Sequence, residues 1–307
     1  MGVAYGAGAS TEDSTFFQEG LIQNMSRVAW VTGAGGLIGH HLMSIAQTQA
    51  PGWRVIPIVR PALDLTDSCA VRAALKADAP DLIFHCAAQS RSPACEANPA
   101  EARRLNVDVT RLLVENCGKA RLLLFSTDQV FDGRTGNYSE SAAVNPLGVY
   151  GQTKAEAEQV VLSQPKHLVV RTSLTAGRSP TGDRSFTEQM RRAWTQGRTL
   201  PLFTDEFRNP LHARFTARAA WELMLQGAQG IHHVAGADRL SRWQIGELLA
   251  QQCQVSARLI APETLATYQG APRSPDSTLN CQATQRLLRF TLPSFADWIQ
   301  TAVPSDL

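Results

Sequence analysis

Tyr150 and Lys154 form the pair in this sequence whose residue types and spacing permit chemistry. On a predicted helix over 150–162 they lie on one face, one turn apart. A tyrosine hydroxyl beside a carbonyl oxygen can supply the proton that is needed when hydride adds to the carbonyl carbon. Free tyrosine titrates at about pH 10, and a nearby ammonium favours the anion, so we expect Lys154 to lower the pKa of Tyr150.

Thr127 is the third candidate catalytic residue. It follows a predicted strand over 121–126, and its hydroxyl can polarise and orient the same carbonyl. A tyrosine and a lysine at this spacing also occur on ordinary amphipathic helices. The prediction of a catalytic triad of Thr127, Tyr150 and Lys154 therefore depends on Thr127 and on the glycine-rich turn described next.

A glycine-rich segment near the start of the chain predicts a dinucleotide site. Residues 31–39 have the sequence Val-Thr-Gly-Ala-Gly-Gly-Leu-Ile-Gly, between a predicted strand and a predicted helix. Such glycines permit a tight turn, close approach of backbone to a pyrophosphate and close packing of helix on sheet. The helix amino terminus then faces the phosphates. The predicted cofactor contacts here are Gly33, Gly35, Gly36, Leu37, Ile38 and Gly39. A merely flexible turn would leave the regular glycine spacing unexplained.

The end of the second predicted strand favours NADP over NAD. In an NAD site, an acidic residue about 20 positions after the glycines holds the free ribose 2′-hydroxyl. Arg60 occupies that place, and a guanidinium matches a 2′-phosphate bidentately. Asp64 follows four residues later. If Asp64 is the acidic residue that holds the ribose 2′-hydroxyl, the site favours NAD instead.

Hydrophobic patterning predicts the elements that hold these residues. Continuous apolar runs alternate with helical patterns, as in strands that are covered on both faces. This alternation predicts an α/β fold with a Rossmann-type doubly wound parallel sheet. Pro57 lacks a ladder donor, so we expect a bulge or an early strand end there. Asn98 and Pro99 predict a helix start. The six predicted strands are 28–32, 54–59, 81–87, 121–126, 167–172 and 231–235.

The pattern changes along the chain and predicts its division. After Thr172 the alternation fades, and Gly, Pro and Arg become frequent. We expect residues 26–172 to form the dinucleotide-binding domain and residues 173–307 to form mainly a smaller, interwoven substrate-binding lobe, with 231–235 returning to the sheet. Residues 1–25 are rich in small and polar residues and are expected to be a flexible extension, with Met25 as an alternative start.

Composition excludes several classes of partner. The 307 residues contain 29 Lys and Arg against 27 Asp and Glu, a formal charge of only +2. The chain lacks the strongly positive charge that would indicate binding to nucleic acid or to an anionic membrane. Any anionic ligand must therefore be bound by a local group of residues. No apolar run approaches the roughly 20 residues of a membrane span. The six cysteines are scattered singly, which predicts reduced thiols and a cytoplasmic location.

Histidine spacing predicts no metal site. The chain contains two adjacent pairs, His40-His41 and His232-His233. Neighbouring residues on a helix or strand point to different faces, and so the two members of a pair do not converge on one metal ion.

Four motifs in a fixed order resemble a known family. They are Asp64-Leu65-Thr66-Asp67, Phe84-His85-Cys86-Ala87-Ala88, STDQVFDG at 126–133, and Tyr150-Gly151-Gln152-Thr153-Lys154. Together they resemble the extended short-chain dehydrogenases/reductases, most closely the dTDP-4-dehydrorhamnose reductase group, over about residues 28–290. The resemblance implies that Asp64 and Leu65 line the adenine side, that Lys154 also holds the nicotinamide ribose, and that Cys86, Ala87 and Ala88 lie along the cofactor.

The resemblance also implies a substrate side. Its predicted residues are Asp128, Arg208, Arg273 and Ser277. Residues 273–279 resemble the family's Arg-Pro-x-Asn-Ser-x-Leu segment, which faces the substrate nucleotide, but Ser274 and Asp276 depart from it. An aspartate beside a substrate diphosphate would be unfavourable, so the identity of the nucleotide sugar stays open.

The activity that the resemblance implies is transfer of hydride from NADPH to the keto group of a nucleotide-linked deoxysugar. A homodimer is a further family expectation.

The related dehydratases carry glutamate where this chain has Gln129, and an amide cannot abstract a carbon-bound proton, which argues against dehydration. The reductases usually carry tyrosine there.

Two alternatives to this reductase stay open. One is a non-catalytic NADP-binding regulatory subunit that resembles the methionine adenosyltransferase beta-subunit type, which shares the Phe-Asp-Gly, Tyr-Gly-x-Thr-Lys and His-Cys-Ala-Ala segments. The other is an epimerase that keeps its cofactor bound.

Overall fold

A computed structural model of the chain describes residues 1–2, 27–303 and 306. The expected N-terminal extension, including Met25, lies outside these residues except for the first two. In the part of the chain that is described, no helix is both long enough and apolar enough to cross a membrane.

Within the described residues, twelve strands and eleven α-helices alternate. The strands are β1 (Val28–Thr32), β2 (Arg54–Ile58), β3 (Leu82–His85), β4 (Arg121–Thr127), β5 (Leu168–Thr172), β6 (Thr175–Ala176), β7 (Leu200–Phe203), β8 (Phe207–Arg208), β9 (Leu211–His212), β10 (Gly230–Val234), β11 (Leu240–Ser241) and β12 (Ile260–Glu263). The helices are α1 (Leu37–Gln49), α2 (Ser68–Asp78), α3 (Ser92–Ala97), α4 (Pro99–Arg103), α5 (Val109–Asn116), α6 (Val149–Leu162), α7 (Phe186–Thr195), α8 (Ala213–Leu225), α9 (Arg242–Gln252), α10 (Gln282–Gln285) and α11 (Phe295–Thr301).

Helix ends follow local chemistry. As expected, Asn98 caps α4, where its side chain accepts a hydrogen bond from the backbone N–H of Glu101 at 3.1 Å, and Pro99 occupies the first turn. A π-helical turn, Arg104–Asp108, joins α4 to α5. Ser241 caps α9 in a capping box with Gln244.

The six predicted strands form one parallel sheet in the order β10-β5-β4-β3-β1-β2. This arrangement confirms the predicted Rossmann-type fold class. The chain runs from β1 outward to β2 and then returns to the other side of β1 with β3. At such a reversal of strand order, a crevice opens at the carboxyl ends of the strands, and ligands bind there.

The sheet is covered on both faces, which explains its continuous apolar runs. All five residues of β1 are buried. Val31 and Phe84 pack with Leu42 of α1 and Trp221 of α8 on one face. Trp30 and Ile83 pack on the other face, in a cluster that α5 and α6 complete. Alternate residues of each strand therefore pack into the hydrophobic cores on opposite faces of the sheet.

Pro57 does not produce the expected bulge. It stays in register opposite Val31, and β2 continues to Ile58. The proline is tolerated because β2 is the edge strand of the sheet, where the absent N–H has no strand to meet.

The chain leaves the sheet after β5 and builds a separate core before β10 returns beside β5. This core joins α7, α9 and α11 through buried side chains that include Met190, Trp194, Leu249, Phe295 and Trp298. We call this part of the molecule, residues 173–229 and 235–303, the lobe. From the lobe, Arg208 of β8 and Arg242 of α9 line a cleft that also contains the glycine turn after β1.

A buried ion pair fixes α6 on the sheet. Arg171 of β5 contacts Glu158 of α6 with Nη2 to Oε2 at 2.7 Å, and both side chains are less than 5% exposed. Ser126 of β4 donates to the same carboxylate at 2.5 Å. Because the two charges are desolvated together, either one alone would be strongly unfavourable.

Removal of the Glu158 charge should destabilise the fold. We expect Glu158→Gln to lower the free energy of unfolding by about 3–5 kcal/mol, because Arg171 stays buried without its counter-charge. Glu156→Gln is the matched control on the same helix, since Glu156 pairs with Arg103 at the surface and should matter by less than about 1 kcal/mol. Urea unfolding measures both, and equal effects would contradict the assignment.

Candidate active site

The glycine turn after β1 packs too closely for side chains. Gly33 has a φ of +65°, and a Cβ there would lie 2.8 Å from the backbone nitrogen of Ala87. A Cβ on Gly39 would overlap the carbonyl oxygen of Gly33. Gly35 differs, because its Cβ would touch only Val59 at 3.8 Å. The chain's own packing therefore requires glycine at 33 and 39, whereas Gly35 lines open space.

The amino terminus of α1 is suited to an anion. Its N-cap, Gly36, provides no side-chain cap, and the first turn carries no acidic residue. The first backbone N–H groups of the helix are thus free of side-chain acceptors and carry the positive end of the helix dipole. A phosphate group fits this position.

The turn after β4 positions Thr127 against α6. Thr127 ends β4 and caps a short 3₁₀ turn, Asp128–Val130, by accepting a hydrogen bond from the N–H of Gln129 at 3.1 Å. Gly151 lets α6 approach this turn, because a Cβ there would overlap the carbonyl oxygen of Gln129. As a result Tyr150 lies within hydrogen-bonding reach of Thr127.

The pKa of Tyr150 moves in the direction opposite to the one we expected. Burial raises it above the ordinary value, the Asp128 carboxylate raises it further, and the hydrogen bond between Tyr150 and Thr127 opposes both. Desolvation of the phenolate is the largest effect, and Lys154 is not among the groups that shift the pKa of Tyr150. The tyrosine consequently holds its proton at neutral pH, as a proton donor must.

Lys154 lies beneath the site rather than in its wall. It is 2% exposed, and burial lowers its pKa to about 8, an effect that the Glu158 carboxylate partly offsets. Its positive charge lowers the pKa values of His85 and Cys86, at the end of β3. Burial also raises the pKa of the Cys86 thiol, which makes this cysteine unreactive.

The crevice is a cleft of about 1730 Å³ between the sheet edge and the lobe. It contains most of the predicted site residues, namely Gly33, Gly35, Gly36, Leu37, Ile38, Gly39, Arg60, Cys86, Ala87, Ala88, Thr127, Asp128, Tyr150 and Arg208. Five others do not line it, namely Asp64, Leu65, Lys154, Arg273 and Ser277. Asp64 instead accepts two hydrogen bonds from Thr66 and lies 3.9 Å from Arg60.

Asp128 is the buried carboxylate of the cleft wall. Its Oδ2 accepts hydrogen bonds from Ser173 at 2.7 Å and from Ser277 at 3.0 Å, and it lies 3.4 Å from Nε of Arg208. Its Oδ1 accepts from Thr127 at 3.1 Å. Ser277 thus acts from behind the wall by holding Asp128.

Comparison with known proteins places the chain in a family. Residues 27–306 match the RmlD substrate binding domain family. The chain belongs to this family. This finding confirms the resemblance that the four motifs carry.

Proteins similar to this chain include reductases and a methionine adenosyltransferase subunit. The chain is 30% identical over 262 residues to a dTDP-4-dehydrorhamnose reductase of Mycobacterium tuberculosis, covering 81% of this chain and 84% of that protein. It is 28% identical over 272 residues to methionine adenosyltransferase 2 subunit beta of Danio rerio, covering 84% of each. Among solved structures, a dTDP-4-dehydrorhamnose reductase from Bacillus anthracis in complex with NADP has a TM-score of 0.83 at 22% identity, covering 90% of this chain and 98% of that one.

The two departures from the RmlD-type segment at 273–279 do not face the cleft. Ser274 is buried and donates to the carbonyl oxygen of Phe131 at 2.8 Å. Asp276 binds Thr278 and pairs with Arg239 at 2.7 Å. The expected conflict between Asp276 and a substrate diphosphate therefore does not arise.

Two residues without a recognisable motif contribute to the RmlD-type site. Asn106, in the π-helical turn, accepts from the N–H of Gln89 at 2.8 Å and donates to Thr153 at 3.0 Å. It ties the loop after β3 to α6. Arg242, the first residue of α9, lines the cleft from the lobe. The available signal for Asn106 was a polar residue between the apolar residues Leu105 and Val107.

The cleft is strongly basic although the chain is nearly neutral. Seven arginines line it against two aspartates, Asp128 and Asp183. The arginines are Arg60, Arg91, Arg184, Arg192, Arg198, Arg208 and Arg242. This distribution agrees with the expectation that anions are met locally.

The contact between α6 and the 3₁₀ turn gives a test. Replacement of a helical glycine by alanine ordinarily stabilises a helix by about 1 kcal/mol. We expect Gly151→Ala instead to destabilise the protein by about 1–3 kcal/mol, because the new methyl group overlaps Gln129. Gln152→Ala, at an exposed position of the same helix, is the control. Stabilisation by Gly151→Ala in urea unfolding would disprove the close approach.

Proposed function

We propose that the chain is a reductase that transfers hydride from NADPH to the keto group of a nucleotide-linked deoxysugar. The observation that carries this proposal is the convergence of Thr127 and Tyr150 in one cleft with the glycine turn. Lys154 lies one helical turn behind them. The family's named reductases, such as that of Mycobacterium tuberculosis, support the same reaction class.

The residues of the cleft fit NADP. The open space at Gly35 and the uncapped amino terminus of α1 suit the pyrophosphate. Arg60 lines the cleft where the adenosine 2′-phosphate would lie, whereas the Asp64 carboxylate is occupied by Thr66. Cys86, Ala87 and Ala88 form the floor, and the Lys154 ammonium lies beside it for the nicotinamide ribose. When bound, NADPH supplies the hydride.

The chain's own residues supply the proton and the orientation. Tyr150 keeps its proton at neutral pH because burial and Asp128 disfavour the phenolate, and it donates that proton to the carbonyl oxygen. Thr127 donates to Asp128 in this structure, and rotation about its C–O bond redirects the proton to the same carbonyl oxygen. The charge of Lys154 then stabilises the phenolate that remains.

Tyr150→Phe tests the proton donor. We expect turnover with a nucleotide 4-keto-6-deoxysugar and NADPH to fall at least about 100-fold, the scale of a lost general acid, while the dissociation constant for NADPH stays nearly unchanged. Tyr138→Phe, which removes a hydroxyl bonded to Asp132 outside the cleft, should keep its turnover. Unchanged turnover in Tyr150→Phe would refute the mechanism.

Arg60→Ala tests the choice of cofactor. We expect NADPH binding to weaken roughly 10-fold, because a charge-assisted contact with the 2′-phosphate is lost. NADH lacks this phosphate and should bind to both proteins alike. Titration of each cofactor by fluorescence gives the two affinities. An equal loss for NADH and NADPH would place Arg60 elsewhere than at the 2′-phosphate.

A second candidate is a non-catalytic NADP-binding regulatory subunit. The relationship to methionine adenosyltransferase 2 subunit beta of Danio rerio favours it, and retention of Tyr150 and Lys154 does not exclude it. A panel of nucleotide 4-keto-6-deoxysugars with NADPH or NADH separates the two. Cofactor oxidation with product formation supports the reductase, whereas inertness toward the whole panel together with co-purification of a partner enzyme supports the subunit.

A further inference from the structure

Five charged side chains lie close together at the cleft and directly behind its lining. They are Asp128, Glu206, Arg208, Arg242 and Arg273. Asp128, Glu206 and Arg208 are almost fully buried. Charges that lie together away from solvent must largely compensate one another. The pairing within this group therefore shows which side chain is left for a ligand.

Both carboxylates already form ion pairs with arginines. Glu206 accepts Nη2 of Arg208 at 2.9 Å and Nε of Arg273 at 2.7 Å. Asp128 lies 3.4 Å from Nε of Arg208. The remaining nitrogen of Arg208 donates to the carbonyl oxygens of Phe207 and Ser274, at 2.7 and 2.9 Å. Arg208 thus uses all three of its nitrogens inside the protein, and Arg273 contacts Glu206 through both Nε and Nη2.

Arg242 is different. Its backbone N–H donates to the carbonyl oxygen of Glu206 at 2.9 Å, and its guanidinium lies 5.7 Å from the ring of Phe186. Among residues 27–303 and 306, no acceptor bonds to its side chain. Burial lowers its pKa to about 10, so it is still charged at neutral pH. Three arginines against two carboxylates leave one net positive charge in the group. The Glu206 carboxylate acts on all three arginines, but Arg242 is the one whose side chain forms no ion pair with either carboxylate within the described residues.

We propose that Arg242 binds the diphosphate of the nucleotide-sugar substrate. This inference rests on the proposed function and assigns its anion contact to a residue other than the one that the sequence resemblance indicates. Arg273 already contacts Glu206 through two nitrogens, so a contact with substrate would compete with this pair. The guanidinium of Arg242 presents a planar set of donors that matches phosphate oxygens.

The other arginines of the cleft are less suited to this role. Arg184, Arg192 and Arg198 are exposed, so solvent and salt screen their charges. They can attract an anion to the cleft without fixing its position. Arg60 lies at the opposite end, beyond the glycine turn. Arg242 alone combines contact with the cleft, partial desolvation and unused donors among the described cleft arginines.

The test measures binding instead of turnover. Calorimetric titration of the NADP-saturated protein uses the diphosphates of thymidine, uridine and guanosine, and thymidine itself as the ligand without phosphate. We expect Arg242→Gln to weaken the best diphosphate about 10- to 100-fold, the range for a hydrogen-bonded charged group. Thymidine and NADP should bind as they do to the unaltered protein. Arg258→Gln, an exposed arginine of the lobe outside the cleft, is the matched control.

Arg242→Lys keeps the charge and loses the planar donor set, so its affinity should fall between those of the unaltered protein and Arg242→Gln. If the glutamine variant fails to fold, the lysine variant still tests the donor geometry. Equal diphosphate affinities in the unaltered protein and in either folded variant would overturn the proposal, as would the absence of diphosphate binding. Loss of diphosphate affinity in a protein that reduces no keto sugar would keep Arg242 as an anion site and reject the reductase.

Discussion

The approach of α6 to the turn after β4 is the contact on which the rest of the site depends. Because Gly151 has no Cβ, the helix backbone packs directly against the carbonyl oxygen of Gln129. This contact sets Tyr150 beside Thr127 and, one helical turn later, Lys154 beside the end of β3. Two elements therefore determine the position of all three candidate catalytic residues, and a shift of either element would move them together.

The inner face of α6 carries polar groups into a region without solvent, and a chain of charges makes this tolerable. Burial favours the neutral forms of both Tyr150 and Lys154. Glu158, one turn after Lys154, restores part of the lysine's basicity, and Arg171 holds Glu158 in place. A tyrosine that keeps its proton suits reduction, in which the proton is given away, better than oxidation. The raised pKa of Tyr150 thus follows from the desolvation of its hydroxyl and from the Asp128 carboxylate.

The sequence contains enough information to predict the sheet but not the electrostatics of the lobe. Continuous apolar runs arise from burial on two faces, so all six strands were predictable, and Asn98 with Pro99 marked a helix start by local chemistry alone. Pro57 was misjudged because edge position is a property of the whole sheet. Asp276 was expected beside the substrate because its motif lies there in the family, yet its pairing with Arg239 depends on a residue 37 positions away. Arg242 has no motif at all, and only the pairing of its neighbours distinguishes it.

Two features determine where an anion can bind in the cleft, namely the start of a helix and the ion pairs among the buried side chains. The number of arginines matters less. At one end, the uncapped amino terminus of α1 offers backbone N–H groups without a formal charge. At the lobe end, the first residue of α9 offers a guanidinium whose neighbours are already neutralised. Thr127 and Tyr150 line the same cleft as both of these groups. In the proposed reaction, a hydride donor and a keto sugar would each be anchored by phosphate at one of these two groups, while the uncharged reacting atoms come together at Tyr150. The near-zero net charge of the chain is compatible with this arrangement because most of its carboxylates lie outside the cleft.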